Sequence, residues 1–137
     1  MTGVKPGARD GHSACISGKF MYVFGGFEEM LDSLSHHVCV LDLEKKHWSL
    51  LKTSGVPPNP RDFHTAVILN ERMYVFGGRS DNLSYFRFEE KWYCNDMFYL
   101  DLKSNAWMCL NNVQDKPIGR RSHSACKLNY FWASNRN

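Results

Sequence analysis

The sequence predicts an all-β protein, a fragment of a β-propeller with two four-stranded blades and the first strand of a third. Three observations lead to this prediction. The pentapeptide YVFGG occurs at residues 22–26 and again at residues 74–78, and its flanking segments recur with it at a period near 50 residues. The repeated segments HSACI, FMYVFGG, VCVLDL and HWSLL are short, rich in β-branched and aromatic residues, and separated by Gly, Asn, Lys and Pro.

The repeat extends well beyond the pentapeptide. RDGHSACISGKFMYVFGG, from Arg9, aligns with RDFHTAVILNERMYVFGG, from Arg61, and a third copy begins with RRSHSACKLN at Arg120. VLDLEKKHW, ending at Trp48, matches YLDLKSNAW, ending at Trp107. No segment keeps a 3.6-residue apolar period with a cap, so we expect few helices.

The two complete copies differ in length at one place. The three repeated histidines lie 52 and then 59 positions apart, and the 7 extra residues fall between the glycine doublet and the LDL segment of the second copy. We therefore predict a loop insertion there. The predicted units are 1–8, an N-terminal linker or strand; 9–60, repeat 1; 61–119, repeat 2 with its insertion at 79–95; 120–128, the start of repeat 3; and 129–137, a divergent tail.

Composition narrows the class of protein. With 137 residues, 43% hydrophobic and 23% charged, the chain has the size of one globular domain, and no stretch approaches the roughly 18 apolar residues of a membrane span. The N-terminus lacks the features of a secretion signal, so we expect a cytoplasmic or nuclear protein. A dispersed net charge of +3 does not indicate nucleic-acid binding. The five cysteines form no CxxC pair and are expected to be free thiols, which favours neither disulfides nor a zinc site.

The spacing of the repeated residues is similar to that of the kelch repeat. The resemblance lies in RxxH, then YVFGG, then LDL with a Trp six residues after its Asp, and it covers the chain from about Val4 to Leu128. It implies a propeller of kelch blades. In this group of kelch proteins it further implies a substrate receptor of a cullin-2 RING ubiquitin ligase, which captures protein C-termini that end in glycine.

Most of the repeated residues have an architectural role in this interpretation. The glycine doublets should end the second strand of each blade, and the tryptophans should supply apolar area where the outer strand packs on the next blade. The histidines recur once per blade, which favours buried imidazoles hydrogen-bonded between blades over a metal site. We expect Arg9 with Asp10, and Arg61 with Asp62, to form charge-assisted bonds. The repeated structural positions are Gly25, Gly26, Gly77, Gly78, Trp48, Trp107, His12, His64 and His123.

Binding residues are expected where the copies differ. In a four-stranded antiparallel blade, the start of the inner strand and the turn after the glycine doublet lie at the same face. This face holds Phe27, Glu28 and Glu29 from the first copy, and arginines with aromatic neighbours from the second copy and the third. Guanidinium groups beside aromatic rings suit a carboxylate or phosphate on an extended peptide. The candidate peptide-binding residues are Arg79, Ser80, Arg87, Trp92, Tyr93, Arg121 and Ser122, with Tyr85, Phe86 and Arg120 nearby.

The resemblance assigns roles to only some of these residues. It implies that the arginine directly after the glycine doublet, Arg79, binds the ligand carboxylate. A second family arginine aligns with Trp92 or Tyr93, and Arg87 replaces it only by proximity. The family serine and tryptophan before the inner-strand histidine are replaced by Arg121 and Ser122.

Three functions from different classes are candidates. The first is the ligase receptor module, whose partners are protein C-terminal peptides; contact with cullin-2 and elongin would come only through segments that this sequence lacks. The second is a kelch scaffold for cytoskeletal or chromatin partners with no requirement for a C-terminal carboxylate. The third, an enzyme, has no support from a nucleophile, a histidine pair or a motif beyond the repeat, so we expect no catalytic residue, cofactor, metal, membrane or small-molecule substrate.

The repeat number predicts an open structure. Propellers close with roughly 4 to 8 blades, and this sequence holds two blades and the start of a third. The tail NYFWASNRN lacks the glycine doublet expected after a second strand. We therefore expect a propeller fragment with exposed strand edges.

Overall fold

Four strands of each complete repeat pair as an antiparallel β-sheet. The computed structural model describes residues 1–81 and 93–128. The strands are β1 (Thr2–Gly3), β2 (Arg9–Asp10), β3 (Ser13–Ser17), β4 (Phe20–Phe24), β5 (Phe27–Glu28), β6 (Ser33–Leu34), β7 (Val38–Asp42), β8 (His47–Leu50), β9 (Ser54–Gly55), β10 (Thr65–Leu69), β11 (Arg72–Phe76), β12 (Met97–Asp101) and β13 (Ala106–Cys109). A 3-10 turn spans Glu29–Leu31. Within the described ranges, no helix is sufficiently long and apolar to cross a bilayer.

The sheet topology confirms the predicted blades. In the first blade β3, β4, β7 and β8 pair antiparallel in order, and in the second blade β10, β11, β12 and β13 do the same. Each sheet also carries a fifth, two-residue parallel strand at its outer edge, β1 on β8 and β9 on β13. Strand β9 lies inside the predicted first repeat, 9–60, so the second blade extends back to Ser54.

The main hydrophobic core lies between the two blades. Because side chains alternate between the two faces of a strand, Tyr22 and Phe24 of β4 share a face with Val38 and Val40 of β7. That face packs against the facing side of the second blade, and burial of these apolar side chains stabilises the pair of blades. The buried members of this core are Tyr22, Phe24, Val38, Val40, Met73, Val75, Phe98, Leu100 and Trp107.

The packing direction predicted for the tryptophans is wrong. Trp107 contacts Phe24 of the preceding blade, with ring centroids 5.2 Å apart, instead of the next blade. The register explains this, because Trp107 lies opposite Leu100 and therefore shares its face toward the first blade. Trp48 lies opposite Leu41 in the same way and joins a second cluster with Val23 and Cys39, on the face of the first blade that points away from the second.

Repeated histidines join successive copies. The Nε2 atom of His64 lies 2.8 Å from the hydroxyl of Ser13, and Nε2 of His123 lies 2.9 Å from the hydroxyl of Thr65. The prediction of imidazoles hydrogen-bonded between blades is thus confirmed for His64 and His123. His12, by contrast, is exposed.

The start of the third copy docks on the second blade as the second blade docks on the first. The amide of Gly26 donates to the carbonyl of Arg61 at 2.8 Å, and the amide of Gly78 donates to the carbonyl of Arg120 at the same distance. Residues 120–128 are not paired as a strand, although the sequence predicts the first strand of a blade there. A β-strand is defined by hydrogen bonds to a neighbouring strand, and in the described part of the chain residues 120–128 have no neighbouring strand from their own repeat.

The cysteines follow the prediction of free thiols. Cys39 and Cys94 are buried, Cys15 is half-buried, and Cys109 and Cys126 are exposed, all without disulfides. Burial raises the pKa of the Cys39 and Cys94 thiols, which favours the protonated, unreactive form.

The buried imidazole of His64 should make stability depend on pH. Its burial, and next the charge of Arg61, lowers the pKa of His64 from 6.5 to about 3. The unfolded chain therefore binds a proton near pH 6.5 that the folded chain excludes. The stabilisation is complete above pH 6.5 and should fall by about 1.4 kcal/mol per unit as the pH drops from 6.5 toward 3. Urea denaturation at pH 7 and pH 5.5 measures this slope. His64→Gln should have a smaller slope than the unmodified chain, and equal slopes would assign the pH dependence to other groups.

Candidate functional site

Each blade carries a short ribbon beyond its glycine doublet. In the first blade β2, β5 and β6 form a three-stranded sheet in which Asp10 lies opposite Phe27. In the second blade, Asp62 pairs with Arg79, which in turn pairs with Tyr93 through isolated bridges. These ribbons confirm that the start of the inner strand and the residue after the glycine doublet are neighbours, and they form one rim of the blades.

A buried arginine supports the ribbon of the second blade. Arg61 is fully buried, and its Nη1 donates to the carbonyl of Gly77 at 2.9 Å and to Oδ1 of Asp96 at 2.7 Å. Its Nη2 donates to Oδ2 of Asp96 at 3.1 Å, and its Nε donates to the carbonyl of Asn59 at 3.1 Å. The guanidinium thus holds the carbonyl of the first doublet glycine and is neutralised by a bidentate carboxylate.

The first blade repeats this arrangement with a different acid. Nη1 of Arg9 donates to the carbonyl of Gly25 at 3.1 Å, and Nη2 of Arg9 donates to Glu28 at 3.0 Å. The predicted bonds of Arg9 to Asp10 and of Arg61 to Asp62 are therefore wrong. Adjacent residues of an extended chain point to opposite sides, so each arginine takes a carboxylate from another strand or loop.

Asp62 has a different partner at the rim. It is fully buried, and its Oδ1 accepts a hydrogen bond from Nε of Arg79 at 3.1 Å while its Oδ2 accepts one from Nη2 of Arg79. The hydrogen bond to Asp62 is the largest cause that raises the pKa of Arg79. The side chain of Arg79 remains about 33% exposed, so the ion pair lies at the boundary between the blade and solvent.

Phe63 lies at the centre of the rim. Its backbone is left-handed, with φ of 52°, which is rare for an aromatic residue. The amide of Phe63 donates to the carbonyl of Gly11 at 2.8 Å, and its carbonyl accepts from the amide of Ser122 at 2.9 Å, so the conformation is held from both neighbouring copies. Gly11 and Ser122, at the equivalent positions, have φ of 62° and 55°.

Two guanidinium groups lie over the Phe63 ring. The Cζ atom of Arg79 is 6.0 Å from the ring centroid, and the Cζ atom of Arg121 is 5.9 Å from it. Arg121 also lies 5.5 Å from the ring centroid of Tyr93, which is 37% exposed. All three distances are within the range of cation–π attraction, which orients a guanidinium without using its hydrogen-bond donors.

The structure brings together three of the predicted site residues: Arg79, Tyr93 and Arg121. Ser80 is buried, at 1% exposure, and therefore lies beneath the rim surface. Ser122 is exposed and contributes its backbone amide to Phe63. Arg87 and Trp92, together with Tyr85 and Phe86, lie outside the described residues.

The sequence prediction missed Phe63 as a site residue and assigned Asp62 to the wrong arginine. A signal for Phe63 existed, because it occupies the one position of the RDxH segment that varies between the first two copies, Gly11 and Phe63. The partner of Asp62 could not be predicted from the variation between copies, since it depends on how the chain after the second glycine doublet pairs with the start of the inner strand.

The neighbouring rim of the first blade is acidic. Glu28 is paired with Arg9, whereas Asp10 and Glu29 are exposed. No group of three His, Cys, Asp or Glu side chains among residues 1–81 and 93–128 is arranged to hold a metal ion. The described rim offers guanidinium donors, aromatic faces and carboxylates, which suit recognition of charged groups on a peptide.

Comparisons with known proteins agree with this architecture. A family model described as the KLHDC2/KLHL20/DRC7 Kelch-repeats domain matches residues 1–133. The chain is 45% identical to Kelch domain-containing protein 3 of Rattus norvegicus and of Homo sapiens over 129 residues, which are 94% of this chain and 34% of each relative. It is 30% identical to Host cell factor 1 of Rattus norvegicus over 96% of this chain and 7% of that protein.

A solved structure shows the same fold. The structure of YjhT, 16% identical in sequence, superposes with a TM-score of 0.63 over 77% of this chain and 39% of that chain. The chain spans about a third of the length of the Kelch domain-containing protein 3 relatives that it matches. With two blades, a docked third copy and a family model that matches nearly all of its residues, the chain belongs to the kelch-repeat family and forms a fragment of a kelch propeller.

Proposed function

We propose that this kelch-repeat interaction module is part of the substrate-recognition propeller of a cullin-2 RING ubiquitin ligase and binds protein C-termini that end in glycine. The module itself is non-catalytic in this proposal, and the protein acts in the cytoplasm or the nucleus. Membership of the kelch-repeat family, whose model matches residues 1–133, supports the choice of a protein ligand. Assembly with cullin-2 and elongin is proposed for the whole protein.

The observation that carries the proposal is the pair of guanidinium groups over one aromatic ring. Arg79 and Arg121 come from different repeats, yet both lie within about 6 Å of the Phe63 ring at the rim. A planar guanidinium donates two parallel hydrogen bonds to a carboxylate, so this rim suits the free end of a peptide better than its uncharged backbone.

The experiment is a titration of the 137-residue chain with two peptides that end in glycine, one with a free carboxylate and one amidated. Amidation removes the negative charge and should weaken binding at least about tenfold, because an arginine would lose its charged partner. Equal binding of both peptides would contradict the proposal. That result would favour the alternative of a kelch scaffold for cytoskeletal or chromatin partners, for which the C-terminal carboxylate is irrelevant.

A further inference from the structure

The two arginines of the rim differ in their electrostatic surroundings, which indicates different roles. We infer that Arg121, lying on the rings of Phe63 and Tyr93, makes the charged contact with the ligand carboxylate, and that Arg79 is a positioning residue bound to Asp62. This inference rests on the proposed function, because it divides the work of the same binding site. It differs from the role that the kelch resemblance implies for the arginine after the glycine doublet.

The charge of Arg79 is already balanced within the protein. Two of its three guanidinium nitrogens donate to the carboxylate of Asp62, one of them at 3.1 Å. Asp62 is fully buried and cannot turn toward solvent if a ligand competes for Arg79. A buried carboxylate left without its partner is costly, so exchange of Asp62 for a ligand carboxylate is unfavourable.

Two further carboxylates act electrostatically on the same arginine. Besides Asp62, the negative charges of Asp81 and Asp10 act on the guanidinium of Arg79. Asp10 and Asp81 are both exposed. A ligand carboxylate that approached Arg79 would therefore meet the carboxylate of Asp62 in direct contact with the guanidinium, and the charges of Asp10 and Asp81 would add to the repulsion through solvent.

Arg121 has the opposite environment. Its side chain is exposed, and no carboxylate among residues 1–81 and 93–128 lies within ion-pair distance of it. Its described contacts are the two aromatic faces, at 5.9 Å from the Phe63 ring centroid and 5.5 Å from that of Tyr93. Aromatic faces hold the guanidinium plane but accept none of its in-plane hydrogen bonds, which leaves the donors available to a carboxylate.

Phe63 connects the two roles. Arg79, paired with Asp62, and Arg121 both lie about 6 Å from the centroid of the Phe63 ring. The left-handed backbone of Phe63, which an aromatic residue adopts only at a cost, is maintained by hydrogen bonds from the preceding and following copies. The ring is therefore a rigid platform that sets where Arg121 can meet a peptide end.

The test compares Arg121→Gln with the matched variant Arg79→Gln. The measured quantity is the ratio of the affinities for the free-acid and amidated glycine-ended peptides. Arg121→Gln should bring this ratio close to one, and Arg121→Lys, which keeps the charge, should restore part of it. Arg79→Gln should weaken binding of both peptides while most of the ratio remains. Near-ultraviolet circular dichroism of each variant checks that it is folded. Because Arg121 is exposed, its substitution should leave the fold intact.

A third variant tests why Arg79 is not the anchor. Asp62→Asn removes the buried charge that balances Arg79, so in the Arg121→Gln background it should raise the ratio above one again. If Arg79→Gln brings the affinity ratio to one and Arg121→Gln leaves it unchanged, the inference is wrong while the proposed function stands. A ratio of one for the unmodified chain would overturn both.

Discussion

Arg61→Ala should destabilise the chain by about 3–5 kcal/mol, the largest effect expected of a single substitution outside the apolar core. Arg61 is fully buried and provides the bidentate partner of Asp96 and a donor to the carbonyl of Gly77. Its removal leaves a partly buried carboxylate and a buried carbonyl without their donor, and it also leaves a cavity. Equilibrium urea denaturation followed by tryptophan fluorescence measures the loss.

Arg120 is the matched control, because it occupies the same position of the third copy. Its Nε donates to the carbonyl of Ile118 at 3.2 Å, as Nε of Arg61 does to Asn59, but Arg120 is exposed. Arg120→Ala should change the free energy of unfolding by no more than about 0.5 kcal/mol. Similar losses for the two variants would show that the ion pair with Asp96 is not what makes this arginine necessary.

Gly78→Ala should have the second largest effect, a loss of about 2–4 kcal/mol of stability together with weaker peptide binding. The φ of Gly78 is +96°, and a Cβ atom there would lie 2.6 Å from the carbonyl oxygen of Asp62 and 2.9 Å from Cβ of His64. Both obstacles belong to the inner strand and its entrance, which cannot move without disturbing the His64 hydrogen bond. A backbone shift at residue 78 that relieved these contacts would also move Arg79, the next residue, away from Asp62.

Gly18→Ala provides the comparison for Gly78→Ala. Gly18 also has a positive φ, +55°, but nothing lies within 4 Å of the position that its Cβ would occupy. Gly18→Ala should lower the free energy of unfolding by only about 1 kcal/mol, which is the conformational penalty of a positive φ alone, and should leave peptide affinity unchanged. Thermal denaturation and peptide titration of both variants separate the two contributions. If the variants were equally stable, close packing behind the doublet would not be the reason for glycine at position 78.

The strands were predictable because they depend on local pattern. Short segments rich in β-branched and aromatic residues, present in both copies, indicate the strands, and the Gly, Asn, Lys and Pro residues between them indicate the turns. Which blade each face meets was not predictable. Trp107 packs back on Phe24 because its register places it on the face toward the first blade, and one sequence cannot distinguish the preceding blade from the next.

The candidate site shows the same division. Comparison of the copies located Arg79, Tyr93 and Arg121 at one rim, since equivalent positions of successive blades lie side by side. The partners in the ion pairs could not be predicted by comparing the copies. Arg61 and Asp62 are adjacent in sequence, yet Arg61 binds Asp96 and Asp62 binds Arg79, because neighbours on an extended chain point apart and find partners 35 and 17 positions away.

The sequence by itself determined the repeat, the all-β class, the two blades and the rim where the copies differ, because each follows from periodicity along the chain. The tertiary structure decided the direction of interblade packing, the burial of Arg61, Asp62 and Ser80, and the unequal surroundings of the two rim arginines. Those properties depend on side chains that come together through space, where burial and charge balance, and not spacing, set which groups pair.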